Sequence, residues 1–169
     1  MRPRRAAGPA VLMGAAFLVS AAFLPWSDES VSDIPVLQDF ARLFLAGNLP
    51  YADFPFEYPP LAWPALALAG LGGTADQDSF LAGLGLLNFA FALAGMLAVG
   101  RLTDLAGGNG RIAMYGWALF PLLIGAIARN HFEMLAAAPA AIAILLVATG
   151  RPSAGLALIG AAAMVKPFA

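Results

Sequence analysis

From residue 79 to residue 100 the chain runs for 22 residues without a charged side chain, and that run limits what it can fold into. About 20 consecutive apolar residues, wound as a helix, cross the hydrocarbon core of a bilayer. In lipid every backbone N–H and C=O must be satisfied within the chain, which selects helices. The run has company. Residues 6–26, 112–128 and 134–150 are equally free of charge, and a fifth run opens at 154 and stays apolar until Lys166. The sequence is 61% hydrophobic and 11% charged, with a mean hydropathy of +0.81. That is too little charge to cover a water-soluble surface. The absence of cysteine excludes disulfides and thiolate metal sites. The expectation is an all-α membrane protein, a multi-span helical bundle.

Arg2, Arg4 and Arg5 stand before the first run. A basic start and an apolar stretch also fit a cleaved secretory signal. The length of the run and the further runs behind it favour a retained anchor. The stretch 61–73 is apolar but only 13 residues long, shorter than the roughly 17 a crossing needs. It reads as a short helix lying in the interface. Charge tests that choice. If 61–73 does not cross, Arg2, Arg4, Arg5, Arg101, Arg111 and Arg151 all lie on the cytoplasmic side, and Arg42, Arg129 and Lys166 lie outside or at the outer boundary. That split obeys the positive-inside rule, and letting 61–73 cross would break it. The expected protein is therefore a multi-pass plasma-membrane (inner-membrane) protein with a cytoplasmic N-terminus. Its long outer loop, 27–78, carries short juxtamembrane helices. Nine acidic residues fall outside in this arrangement: Asp28, Glu29, Asp33, Asp39, Asp53, Glu57, Asp76, Asp78 and Glu133.

Within the loop, Val36, Phe40, Leu43 and Phe44 recur at helical spacing, with Asp33 near the start, Pro35 in the first turn and Gly47 as the stop. Asp33 is either a helix-start acid facing orphan N–H groups or a free carboxylate with chemistry to do, and composition by itself favours the first. The stretch 51–60 then places three prolines within six residues, which makes a fixed loop. Tyr51, Phe54, Phe56 and Tyr58 interleave there with Asp53 and Glu57. Aromatic faces beside fixed carboxylates hold sugars or cations. They also anchor loops at headgroup level. A second outer cluster holds Arg129, Asn130, His131 and Glu133, with the chain's only histidine. Arg129 and His131 are candidate anion ligands, against a polar turn closed by an Arg129–Glu133 pair. Lys166 ends an apolar run, as a snorkelling lysine or as a phosphate contact. No nucleotide-binding glycine loop or metalloprotease motif is present.

The residues Ser32-Asp33-Ile34-Pro35-Val36, then Gly47 to Phe54, then Phe56-Glu57-Tyr58-Pro59-Pro60-Leu61-Ala62 carry a resemblance. In that order they are similar to the first outer loop of the GT-C type glycosyltransferases, and within them of bacterial glycosyltransferase family 87. Residues 129–133 resemble the family's later outer turn, and Lys166-Pro167-Phe168 its Lys-x-x-Pro element. The resemblance covers nearly the whole chain. It implies an inverting transfer, mannosyl in several members, from a polyprenyl-phosphate-linked sugar donor to a lipid or glycan acceptor, with no nucleic-acid partner. Asp33 would be the general base. Arg129, His131 and Lys166 would face the donor phosphate, while Asp53, Glu57 and Tyr58 would border the substrate. Some relatives carry Asp-x-Asp where this chain has Asp33-Ile34-Pro35, so a metal pair there is not implied and no cofactor is expected.

Such enzymes have about twice as many spans, so the chain is expected to be an N-terminal part that is inactive alone. The competing classes are a transporter fragment and a non-catalytic membrane protein. A transport path is lined by ionisable residues within the spans, and the runs 79–100, 112–128 and 134–150 contain none.

Overall fold

A computed structural model describes residues 4–23 and 33–166. Among them the chain is entirely helical, in the order α1 (Arg4–Phe23), α2 (Ile34–Leu45), α3 (Ala62–Gly70), α4 (Gln77–Leu105), α5 (Gly110–Ile124), α6 (Ile127–Asn130), α7 (Glu133–Ala148) and α8 (Pro152–Ala163). Two helices, α1 from Arg5 and α4, are long and apolar enough to cross a membrane. At 1.5 Å per residue, the 29 residues of α4 extend over about 43 Å. The nine residues of α3 reach only about 14 Å, less than half a hydrocarbon core. The short helix expected at 61–73 is thus present, and too short to cross.

α4 is the axis. Its Gly95 lies against both Trp117 of α5 and Ala138 of α7, so close that a Cβ would sit 2.6 Å from the Trp117 ring and 3.1 Å from the Ala138 Cβ. Small residues at such crossings let helix backbones approach. α7 runs parallel to α4, because Asn88 meets Arg129 and His131 while Gly95 meets Ala138. α1 lies along α5, with Gly8 against Tyr115. One core gathers Met13, Met96, Met114, Ala118 and Met134 between α1, α4, α5 and α7. A second gathers Ile34, Leu37, Leu66, Phe80, Leu84 and Leu135, where α2 and α3 pack on α4.

Sequence signals set several boundaries. The Asp76 carboxylate accepts from Ser79 N–H at 2.8 Å and caps α4. That backbone bond, together with the Ser79 side chain, holds its carboxyl below the ordinary range. Asn109 caps α5 by accepting from the N–H groups of Arg111 and Ile112. Asp104 accepts from Gly110 N–H at 2.9 Å and closes the turn between α4 and α5. Gly47, at φ +94°, stops α2.

Two expectations are corrected. The run 112–128 is not one helix: Gly125, at φ 64° and ψ −149°, separates α5 from the single turn of α6. That backbone region is open essentially to glycine alone. The last run does not continue to 169, since α8 ends at Ala163 and the chain turns through Met164. There the Met164 carbonyl accepts from Leu61 N–H at 2.8 Å, which fastens the end of α8 to the start of α3. The buried face of α2 is Ile34, Leu37 and Ala41, while Val36 is 44% exposed. The packing partner of α2 is α3, and that sets which face is covered. Residues 24–26 of the first expected span, and 27–32 of the expected outer loop, lie outside the described residues.

The fold sorts its charges to two ends. Arg5, Arg101, Arg111 and Arg151 lie at the end formed by the start of α1, the α4–α5 turn and the α7–α8 turn. The loop 46–61 and the starts of α2, α4 and α7 form the other end, which carries Asp33, Asp53, Glu57, Asp76, Asp78, Glu133 and Lys166. Between the ends, large apolar side chains stand out from the bundle, among them Val11, Leu18, Leu86, Ile112, Leu123 and Leu156.

Candidate functional site

The acidic end is built around the proline-braced loop. Phe56 is only 6% exposed and is the hub of its packing. Its ring lies 5.1 Å from that of Phe40, 5.5 Å from Tyr51 and 5.8 Å from Tyr58. Tyr58 in turn meets Phe132 edge-on at 5.2 Å. These rings pack on one another, so Phe56 and Phe54 help form the loop's own core. The Tyr51 hydroxyl donates to the Tyr58 carbonyl, with Tyr51 itself at φ 69°.

Asp53 belongs to the same brace. Its Oδ2 accepts from Leu49 N–H at 2.7 Å, and its own N–H donates to the Leu49 carbonyl at 2.9 Å. This is a local turn closure. One carboxylate oxygen thus braces its own loop, and Asp53 is not among the residues lining the cleft described below. Among the described residues, no group of three or more His, Asp or Glu is arranged to hold a metal ion.

Glu57, Tyr58 and Lys166 do come together. With Tyr51, Phe56, Pro59 and Pro60 they line an open cleft of about 790 Å³. Lys166 Nζ donates to Glu133 Oε1 across the end of the bundle, tying the tail of α8 to the first turn of α7. The other oxygen of Glu133, Oε2, is buried without a hydrogen-bond partner among the described residues. Tyr58 registers the surrounding charge. Burial first, then the carboxylates of Asp33, Glu57 and Glu133, push its phenol up to about 12. Asp33 acts on Tyr58 through space and does not itself line the cleft. It occupies the N-cap position of α2, is exposed, and makes no side-chain capping bond. Asp33 therefore stands at the helix start, where an acid complements the dipole, but among the described residues its carboxylate makes no capping hydrogen bond.

The three candidate phosphate ligands separate. Lys166 lines the cleft; Arg129 and His131 do not. Arg129 lays its aliphatic stem across Gly85 of α4, where a Cβ would come within 2.9 Å of it, and lines a different groove between α1 and α4. Its Nε donates to Asn130 Oδ1 at 2.7 Å. No Arg129–Glu133 pair forms, because Glu133 is held by Lys166. Asn88, which sequence reasoning passed over, is wholly buried in α4. Its Nδ2 donates to the carbonyls of Arg129 at 2.9 Å and His131 at 2.8 Å, satisfying the backbone where α6 gives way to α7. The signal for it was a single amide side chain in the uncharged run 79–100.

Comparison with protein-family models, with curated proteins and with solved structures returns no significant match.

Proposed function

We propose that this chain belongs to a membrane glycosyltransferase of the GT-C type that transfers a sugar, mannose by resemblance, from a polyprenyl-phosphate donor to a lipid or glycan acceptor. In this reading α1, α4, the α5–α6 pair, α7 and α8 are spans of a plasma-membrane bundle. The arginine-bearing end is cytoplasmic and the acidic end faces outward. The observation that carries the reading is the convergence of Glu57, Tyr58 and Lys166, drawn from two separate parts of the chain, around one open cleft at the acidic end, with the Asp33 carboxylate acting on Tyr58 through space.

Each group has a role that its surroundings allow. Asp33, exposed and making no capping bond, takes the proton from the acceptor hydroxyl as that oxygen attacks the anomeric carbon. The bond from that carbon to the donor phosphate breaks, and the phosphate leaves with the electron pair. Lys166 is the cation lining the cleft, placed to meet the leaving oxygen, and the donor phosphate competes for it with Glu133. The Tyr58 phenol keeps its proton and remains a hydrogen-bond donor at neutral pH. Glu57, exposed at the rim, accepts from sugar hydroxyls.

The test is Asp33→Asn in the full open reading frame, assayed in membranes for transfer from a polyprenyl-phosphate sugar. A general base is worth about 10²–10⁴-fold in rate, and a loss of that size with normal membrane insertion is expected. Transfer at the wild-type rate would overturn the assignment of Asp33.

A further inference from the structure

A second concavity lies away from the cleft. α1 and α4, the two helices long and apolar enough to cross a membrane, leave between them a groove of about 430 Å³. Its size falls within the range of small-molecule sites. Phe17 and Leu18 of α1 and Leu81 and Phe89 of α4 give it apolar walls. Leu18 is 74% exposed, so the groove opens sideways from the bundle. Two charged residues complete the lining: Asp78, in the first turn of α4, and Arg129, arriving from α6.

These charges are not a pair. No ion pair joins Arg129 to Asp78, and among the described residues Arg129 has no partner beyond the bond from Nε to Asn130, leaving both terminal nitrogens open. Asp78 likewise has no partner among the described residues. A guanidinium beside an apolar wall, with unmet donors, calls for an anion able to accept two bonds. The two charges also stand at different depths. Asp78 lies in the first turn of α4, whereas the Arg129 stem crosses Gly85, seven residues and about 10 Å further along the helix. A groove whose apolar walls carry a cation and, nearer the end of the bundle, an acid offers the three chemistries of a zwitterionic phospholipid: acyl chain, phosphate and amine.

We infer that the α1–α4 groove is a binding site for one glycerophospholipid with a phosphoethanolamine head, its phosphate on Arg129, its ammonium on Asp78 and an acyl chain along Phe17, Leu18 and Phe89. The head is zwitterionic, as the two protein charges are, so neither is left unmatched. A phosphoglycerol or polyprenyl-phosphate head would meet Arg129 but bring no cation to Asp78, hydroxyl donors at most. The inference rests on the chain residing in a bilayer and is independent of sugar transfer.

The experiment reads bound lipid. The protein is purified in mild detergent and exposed to equal amounts of phosphatidylethanolamine, phosphatidylglycerol of the same acyl chains and polyprenyl phosphate, and retained lipid is identified by native mass spectrometry. Wild type should retain phosphatidylethanolamine over the other two. Arg129→Gln should cut that retention by about tenfold or more, the worth of a charged hydrogen bond. Asp78→Asn should abolish the preference for phosphoethanolamine over phosphoglycerol while phosphate-headed lipid is still retained. Gly14→Leu should fill the groove and reduce retention of every lipid. Asp78 is exposed in a first turn, so its variant tests the inference even if Arg129→Gln folds poorly. Equal or better retention of phosphatidylglycerol or polyprenyl phosphate by wild type would overturn the inference, as would an unchanged preference in Asp78→Asn. Asp33→Asn should keep the lipid, which separates failure here from failure of the glycosyltransferase reading.

Discussion

Tyr58 is the residue at which the acidic end can be interrogated. Burial first, and then the carboxylates of Asp33, Glu57 and Glu133, push its phenol up to about 12 from an ordinary value of about 10. A phenol raised in the folded state binds its proton more tightly there. The stability it contributes is complete below pH 10 and is lost as pH rises through 12. An ultraviolet-monitored titration should show one tyrosine ionising late, and Tyr58→Phe should remove that component. Asp33→Asn or Glu133→Gln should bring it only part of the way back, because burial is the larger cause. A wild-type titration with no late component would contradict the geometry described. The spread of legible and hidden residues has a physical basis. Lys166, a lone cation after an apolar run, drew notice in the sequence, and it does line the cleft. Its partner did not, since four-residue spacing pointed Glu133 at Arg129. That rule requires one continuous helix. His131, at φ −129° and ψ −174°, breaks it, and sends Arg129 to α4 and Glu133 to α8.

At the scale of elements, α3 tests how closely helices must approach. A Cβ on Gly83 of α4 would sit 2.0 Å from the Ala69 carbonyl oxygen and 3.0 Å from the Ala69 carbonyl carbon. Backbone cannot step aside as a side chain can, so α3 itself would have to lift. Gly83→Ala should destabilise the protein by about 1–3 kcal/mol, the usual cost of overpacking. Gly116→Ala, on a face of α5 with nothing within 4 Å, should be neutral or slightly stabilising. Unfolding of both variants in mixed micelles checks this, and equal effects would remove the close approach from the account. The long helices were legible because charge-free runs and capping residues mark them. The break at Gly125 was not, because apolar residues continue across it and its backbone geometry has no compositional mark.

The whole molecule makes a statement about sidedness that the absence of native cysteine makes easy to examine. Ala75 and Ala106 are both exposed and stand at opposite ends of α4. In intact cells, a membrane-impermeant thiol reagent should label Ala75→Cys and spare Ala106→Cys until the membrane is opened. Labelling of both from the same side would refute the proposed topology. The arrangement also explains why α4 and α7 run parallel. Each begins at the acidic end, and α5 with α6 supplies the return between them.

By itself the sequence determined the class of fold and the sorting of charge, because both follow from local quantities: the length of apolar runs and the position of charges between them. It also marked the stiff loop 51–60, whose prolines constrain the backbone wherever the loop lies. Tertiary structure decided which charges meet. Tyr58, Glu133 and Lys166 are separated by as many as 108 residues of chain; the packing of Tyr58 on Phe132 brings the loop to the start of α7, and the return of α8 to the loop end adds Lys166. It likewise took Asp53 and Arg129 out of the cleft, since a hydrogen bond within one turn and a glycine on a facing helix outweigh proximity in sequence.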